Sequence, residues 1–128
     1  MEKLATDSSS SQPLLDINQL ETFIDLGLID FLDLLGDVTH DVPEHIAKIH
    51  STIREGNETA LKARCHSMRG MLANFGCIGI TGYLHRLEYE NAVSTKMADT
   101  VRAELEELWV RSFSAIKDWE NSVAGFAT

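Results

Sequence analysis

Apolar residues recur at steps of three and four through this chain from Ile17 to Trp119, with almost no strand-like alternation, and that period points to helices from end to end. Asp16 followed by Gln19 has the form of a capping box, with Ile17, Leu20, Phe23 and Ile24 on one face behind it. Gly27 ends that short first helix. A longer helix is expected from Leu28 to Glu55, carrying Phe31, Leu34, Leu35, Val38, Val42, Ile46, Ile49 and Ile53. Pro43 predicts a kink or short break within it, and Gly56 stops it. Asn57 caps a third helix over residues 58–78, with Gly79 beyond. A fourth covers 81–91. A fifth opens at Ser94 or Thr95 and runs to 123, burying Leu105, Leu108, Trp109, Phe113, Ile116 and Trp119. Short connections make such helices antiparallel neighbours. The expected fold is all-α, an antiparallel four-helix bundle with an additional short N-terminal helix, formed by residues 14–124. Residues 1–13 include Ser8, Ser9, Ser10, Ser11 and Gln12, follow no period, and are expected to be a disordered or flexible segment.

Charge narrows the partners. Eleven Lys and Arg against 20 Asp and Glu give a formal charge of −9, which argues against nucleic acid, whose phosphates need a basic footprint. Two cysteines are too few for a disulfide framework. On one helix Cys65 and Cys77 would stand roughly 18 Å apart, out of bonding reach. No apolar run is long enough to insert in a membrane. A cytoplasmic, reduced setting and a monomer are the expectation.

Functional weight falls on the third helix. With Cys65 at 0° and about 100° per residue, Leu61, Cys65, Met68, Leu72 and Phe75 fall between about −80° and 0° and form its core face. His66 falls near +100°, about 140° from the centre of that arc, and so faces solvent. Lys62 lies one turn before it, near 60°, and Arg69 one turn after, near 40°. An exposed histidine between two cations is a notable spot on an acidic protein, and both cations would favour a phosphoryl group carried there. Gly70, near 140°, costs about 1 kcal/mol inside a helix relative to Ala and leaves room over the ring for a partner. Gly76, near 20° at the edge of the buried arc, reads as a helix-packing glycine. His40, His45 and His50 are each turned by about 140° from the last, which denies them a common metal-binding face, and no metal site is expected.

The stretch Cys65-His66-Ser67-Met68-Arg69-Gly70-Met71-Leu72-Ala73-Asn74-Phe75-Gly76 resembles the signature of the histidine phosphotransfer (HPt) family. That signature has a histidine, a basic residue three later, a glycine four later and a second glycine ten later. Asp16-Ile17-Asn18-Gln19-Leu20 looks like the family's opening, Glu55-Gly56-Asn57 like its turn before the third helix, and Leu87-Glu88 like its pair on the fourth. The resemblance spans residues 15–120. Arg69 stands where the family usually has Lys, keeping the charge but replacing a mobile ammonium with a planar fork. Cys65 stands where a small residue, commonly Ala, is usual.

The resemblance implies that His66 is the phosphoacceptor, charged by a receiver-domain aspartyl phosphate and discharged to another receiver. It implies that Arg69 and Lys62 stabilise phosphate or receiver, and that Gly70 is the close-approach glycine. Partners would be response-regulator receivers, with a hybrid histidine kinase as a further candidate. No nucleotide loop and no acidic Mg²⁺ cluster accompanies His66, so no cofactor is expected on this chain, and Mg²⁺ belongs with the partner receiver. Such a chain is a phosphotransfer protein rather than an enzyme. The competing reading is a non-catalytic scaffold that binds a receiver without turning over phosphate.

Overall fold

The computed structural model describes residues 13–25, 27–89 and 93–127, with side chains placed as far as Ser122. Residues 1–12, which make up nearly all of the expected flexible segment, lie outside the described residues. Among the described residues five α-helices follow in order: α1 (Ile17–Ile24), α2 (Leu28–Glu55), α3 (Glu58–Ala73), α4 (Ile78–Tyr89) and α5 (Ala98–Ala127), with a 3₁₀ turn over Thr95–Met97 ahead of the last. The fold is all-α, a four-helix bundle with a short helix added at its start.

Local chemistry sets most of the boundaries. The Asp16 carboxylate accepts from the Gln19 amide at 3.3 Å and starts α1. Gly56, at φ 72°, stops α2 in the left-handed conformation that glycine adopts without strain. The Asn57 side chain then accepts from the Ala60 amide at 3.0 Å and opens α3. Pro43 does not break α2, which is helical throughout. Val42 and Ile46, on either side of it, are both buried and hold that turn against the core, while Pro43 itself faces solvent.

The core face expected for α3 is the one observed: Leu61, Cys65, Met68, Leu72 and Phe75 are all buried. They share one core with Phe31, Leu35, Val42, Ile46, Ile49 and Ile53 of α2, Leu84 and Leu87 of α4, and Leu105 and Leu108 of α5. Leu34, expected on the inner face of α2, is instead 44% exposed. At one end of the bundle Phe23, Phe31, Phe75 and Trp119 form an aromatic cluster, with Phe31 centred 5.6 Å from Phe23 and 6.0 Å from Trp119.

Boundaries differ from the sequence expectation in α5, which runs from Ala98 to Ala127 rather than from 94 or 95 to 123, and between the third and fourth helices. The third helix ends at Ala73 rather than 78, and the fourth begins at Ile78 rather than 81. Gly76 therefore does not pack from within a helix: it sits in the α3–α4 turn at φ 64°. Its carbonyl accepts from the Asp16 amide at 2.7 Å, and a Cβ on it would lie 2.5 Å from the Asp16 carbonyl oxygen. The glycine is needed for a left-handed turn and for close approach of the chain ahead of α1.

Candidate functional site

The site forms where α3 and α4 run side by side. His66 stands on the outward flank of α3 with its side chain 72% exposed. Its Nε2 makes no hydrogen bond to the described residues, whereas Nδ1 points to two groups. Nδ1 lies 3.4 Å from Oε2 of Glu88 on α4 and 3.3 Å from an Nη2 of Arg69, one turn further along α3. Arg69 in turn donates to Oε1 of Glu88 at 2.8 Å. One carboxylate thus receives both the guanidinium and the ring.

Glu88 is buried, with 9% of its side chain exposed. Burial alone would push its carboxyl up, but the hydrogen bond and charge of Arg69 outweigh that and hold it below the usual carboxylate range. The same bond raises Arg69 further above its already high value. The guanidinium also lies over the exposed Tyr89 ring, 5.9 Å from its centroid, and the His85 ring packs against Tyr89 at 4.6 Å.

Lys62, one turn before His66, turns its ammonium to α4 and donates to the backbone carbonyl of Glu88 at 2.8 Å. The cationic flank read from the sequence is therefore half of the arrangement, because both cations are engaged with Glu88. Gly70 is exposed, and a Cβ there would meet nothing within 4 Å, so the surface beyond the ring is open. Beneath His66 lies Cys65, fully buried, its thiol pushed up to about 12 chiefly by burial, with Glu88 adding to the effect. Cys77 is likewise buried and raised to about 12, and both cysteines are free.

Glu88 and Tyr89 were not singled out by sequence reasoning as site residues. Glu88 left a trace: it follows Leu84 by one turn and adjoins Leu87, so a carboxylate occupies a core-facing position of α4 and demands a cation. Among the other histidines, His50 bonds Asp99 through Nε2 at 2.7 Å, and His40 contacts Asp41. Among the described residues no three His, Cys, Asp or Glu side chains could hold a metal ion, and no helix is long and apolar enough to cross a membrane.

The site is thus an exposed imidazole braced from behind by an ion pair on a helical bundle. A model of the Hpt domain family matches residues 33–111, more than half of the chain, and the chain belongs to that family. The fold is similar to the crystal structure of histidine-containing phosphotransfer protein B from Pseudomonas aeruginosa PAO1, with a TM-score of 0.71 and 24% identity. The likeness covers 88% of this chain and 98% of that one. No curated protein matches it.

Proposed function

We propose that His66 accepts a phosphoryl group from the aspartyl phosphate of one receiver domain and passes it to the aspartate of another, making this chain the relay between them. The observation that carries this reading is the division of the ring: Nδ1 faces the Arg69–Glu88 ion pair, 3.3 Å from the guanidinium and 3.4 Å from Oε2, while Nε2 makes no hydrogen bond to the described residues and stands on an open face. Arg69, a donor only, favours a bare Nδ1, whereas Oε2 of Glu88 favours Nδ1–H; in the Nδ1–H form, which Glu88 supports, the lone pair is on Nε2. That lone pair attacks phosphorus, the Nε2–P bond forms, the P–O bond to the aspartyl group breaks, and the carboxylate leaves with the bonding pair. Positive charge develops on the ring as the bond forms, and the Glu88 carboxylate stabilises it through Nδ1–H, the part an orienting carboxylate plays beside other reactive histidines. Discharge to the second receiver is the same step in reverse.

Arg69 holds Glu88 in place on the Nδ1 side of the ring, opposite the Nε2 face where the phosphoryl group arrives. Gly70 leaves the approach to that face open. The one carboxylate beside His66 is already tied to Arg69, which leaves no donor set for a divalent cation, so Mg²⁺ belongs to the receiver, where it would neutralise the phosphoryl oxygens. The chain contributes no kinase or phosphatase machinery of its own. Response-regulator receivers are its partners, with a hybrid histidine kinase as a further candidate, and two buried free cysteines suit the cytoplasm.

The test is direct. Incubation with phosphorylated receivers should place an acid-labile, alkali-stable label on the protein, and His66→Gln should lose it. A wild-type protein that binds a phosphorylated receiver but takes up no label would be a scaffold, and the relay reading would be wrong.

A further inference from the structure

We propose that Lys62 is a positioning residue, one half of a two-point clasp by which α3 fixes Glu88 against His66, and not a ligand of the phosphoryl group. Lys62 and Arg69 are seven residues apart, two turns along the same flank of α3, with His66 between them. They grip the same residue of α4 by different handles. Arg69 takes the Glu88 carboxylate at 2.8 Å, and Lys62 takes the Glu88 backbone carbonyl at 2.8 Å.

The carbonyl that Lys62 holds lies in the last turn of α4, which ends at Tyr89. Carbonyls of a final turn lack partners within the helix, and a lysine donor both satisfies one and meets the negative end of the helix dipole. The ammonium therefore fixes where the backbone of Glu88 sits, and Arg69 fixes its rotamer. With only the second hold, the end of α4 could fray and carry Oε2 away from Nδ1, a contact that at 3.4 Å has little slack. A cation serving as phosphate ligand would instead leave its carbonyl partner and swing across the ring.

This inference rests on the relay reading of His66 but is tested apart from it. The ¹⁵N shifts of His66 in the unphosphorylated protein report which ring nitrogen carries the proton, without any transfer. Lys62→Met keeps the apolar stem and removes the donor, and Lys62→Arg restores one. Lys62→Met should move the His66 tautomer population away from Nδ1–H, with the amides of 86–89 exchanging faster. It should also slow charging by a phosphorylated receiver by about tenfold, the lower end of the cost of losing an outer hydrogen-bond partner of a histidine. Lys62→Arg should recover all three. If Lys62→Met leaves the His66 shifts unchanged, the clasp is wrong, whatever the transfer rate does. Slower transfer or faster phosphohistidine hydrolysis with unchanged shifts would make Lys62 a phosphate ligand. Unchanged shifts together with absent labelling of the wild type would remove the relay reading as well, whereas altered shifts with absent labelling would remove the relay alone.

Discussion

Oε2 of Glu88 lies 3.4 Å from Nδ1 of His66, and the two residues meet from neighbouring helices with Arg69 bound to the other oxygen of the same carboxylate. The site is thus a three-residue arrangement with alternating roles: Arg69 orients the carboxylate, and the carboxylate orients the ring. Glu88→Gln keeps the size of the side chain but removes the charge that stabilises an Nδ1–H ring during transfer. Phosphoryl transfer to His66 should fall by about 10- to 100-fold, with receiver binding little changed. Single-turnover transfer from a labelled receiver, alongside a binding titration, separates the two.

Stability should depend on acid in a way that traces to the same carboxylate. Glu88 titrates below its ordinary value in the folded protein because Arg69 outweighs its burial. A carboxyl depressed by folding contributes stability that is fully present above its unfolded value, about 4.3, and is lost as pH falls through the lower folded value. Melting temperature should therefore decline below about pH 4 more steeply in the wild type than in Glu88→Gln, which has nothing to titrate there. Equal slopes would show that the ion pair adds nothing to folding. Asp99, lowered chiefly by its bond to His50, titrates in the same direction and calls for His50→Gln as a control.

Gly70→Ala should separate folding from function. A Cβ at this exposed helical position meets no atom within 4 Å, so the helix gains about 1 kcal/mol and the melting temperature should rise by about 3–5 °C. Transfer should nevertheless slow, because the new methyl group occupies the approach to the ring. A variant that is both more stable and equally fast would show that the partner does not come this way.

Gly76→Ala should do the opposite. Its φ of 64° costs an L residue about 1–2 kcal/mol, and the Cβ would lie 2.5 Å from the Asp16 carbonyl oxygen. Urea unfolding should show a loss of about 3 kcal/mol, with the His66 site intact in the molecules that stay folded.

Helix order and the core face of α3 were legible in the sequence because they follow from a period, and so was the exposure of His66. The end of α3 was not, because Phe75 and Ile78 continue the apolar spacing of Leu72 through what is a turn. Phe75 earns its apolar place by joining Phe23 and Phe31 in the end cluster, not by extending the helix. Gly76 reads the same in sequence whether it thins a helix or turns the chain, and its positive φ decides. Within the site, Lys62, Arg69 and Gly70 were visible because one helix carries them at known angles. Glu88 comes from another helix, and no angular count along α3 can reach it. Of the two outcomes expected at Pro43 the break is absent: local preference for it yielded to burial of Val42 and Ile46 on either side.

The backbone link between Asp16 and Gly76 has a kinetic consequence. Two amides, of Asp16 and Gly79, tie the chain ahead of α1 to the α3–α4 turn and the start of α4, while Phe23 of α1 seats on Phe31 and Phe75. These contacts close a long stretch of chain whose entropy cost is repaid only once α2 and α3 have already formed the surface that α1 covers. Hydrogen exchange should therefore show the amides of α1 opening before those of α3 and α4, a small separable opening at one end that leaves the helices around His66 in place.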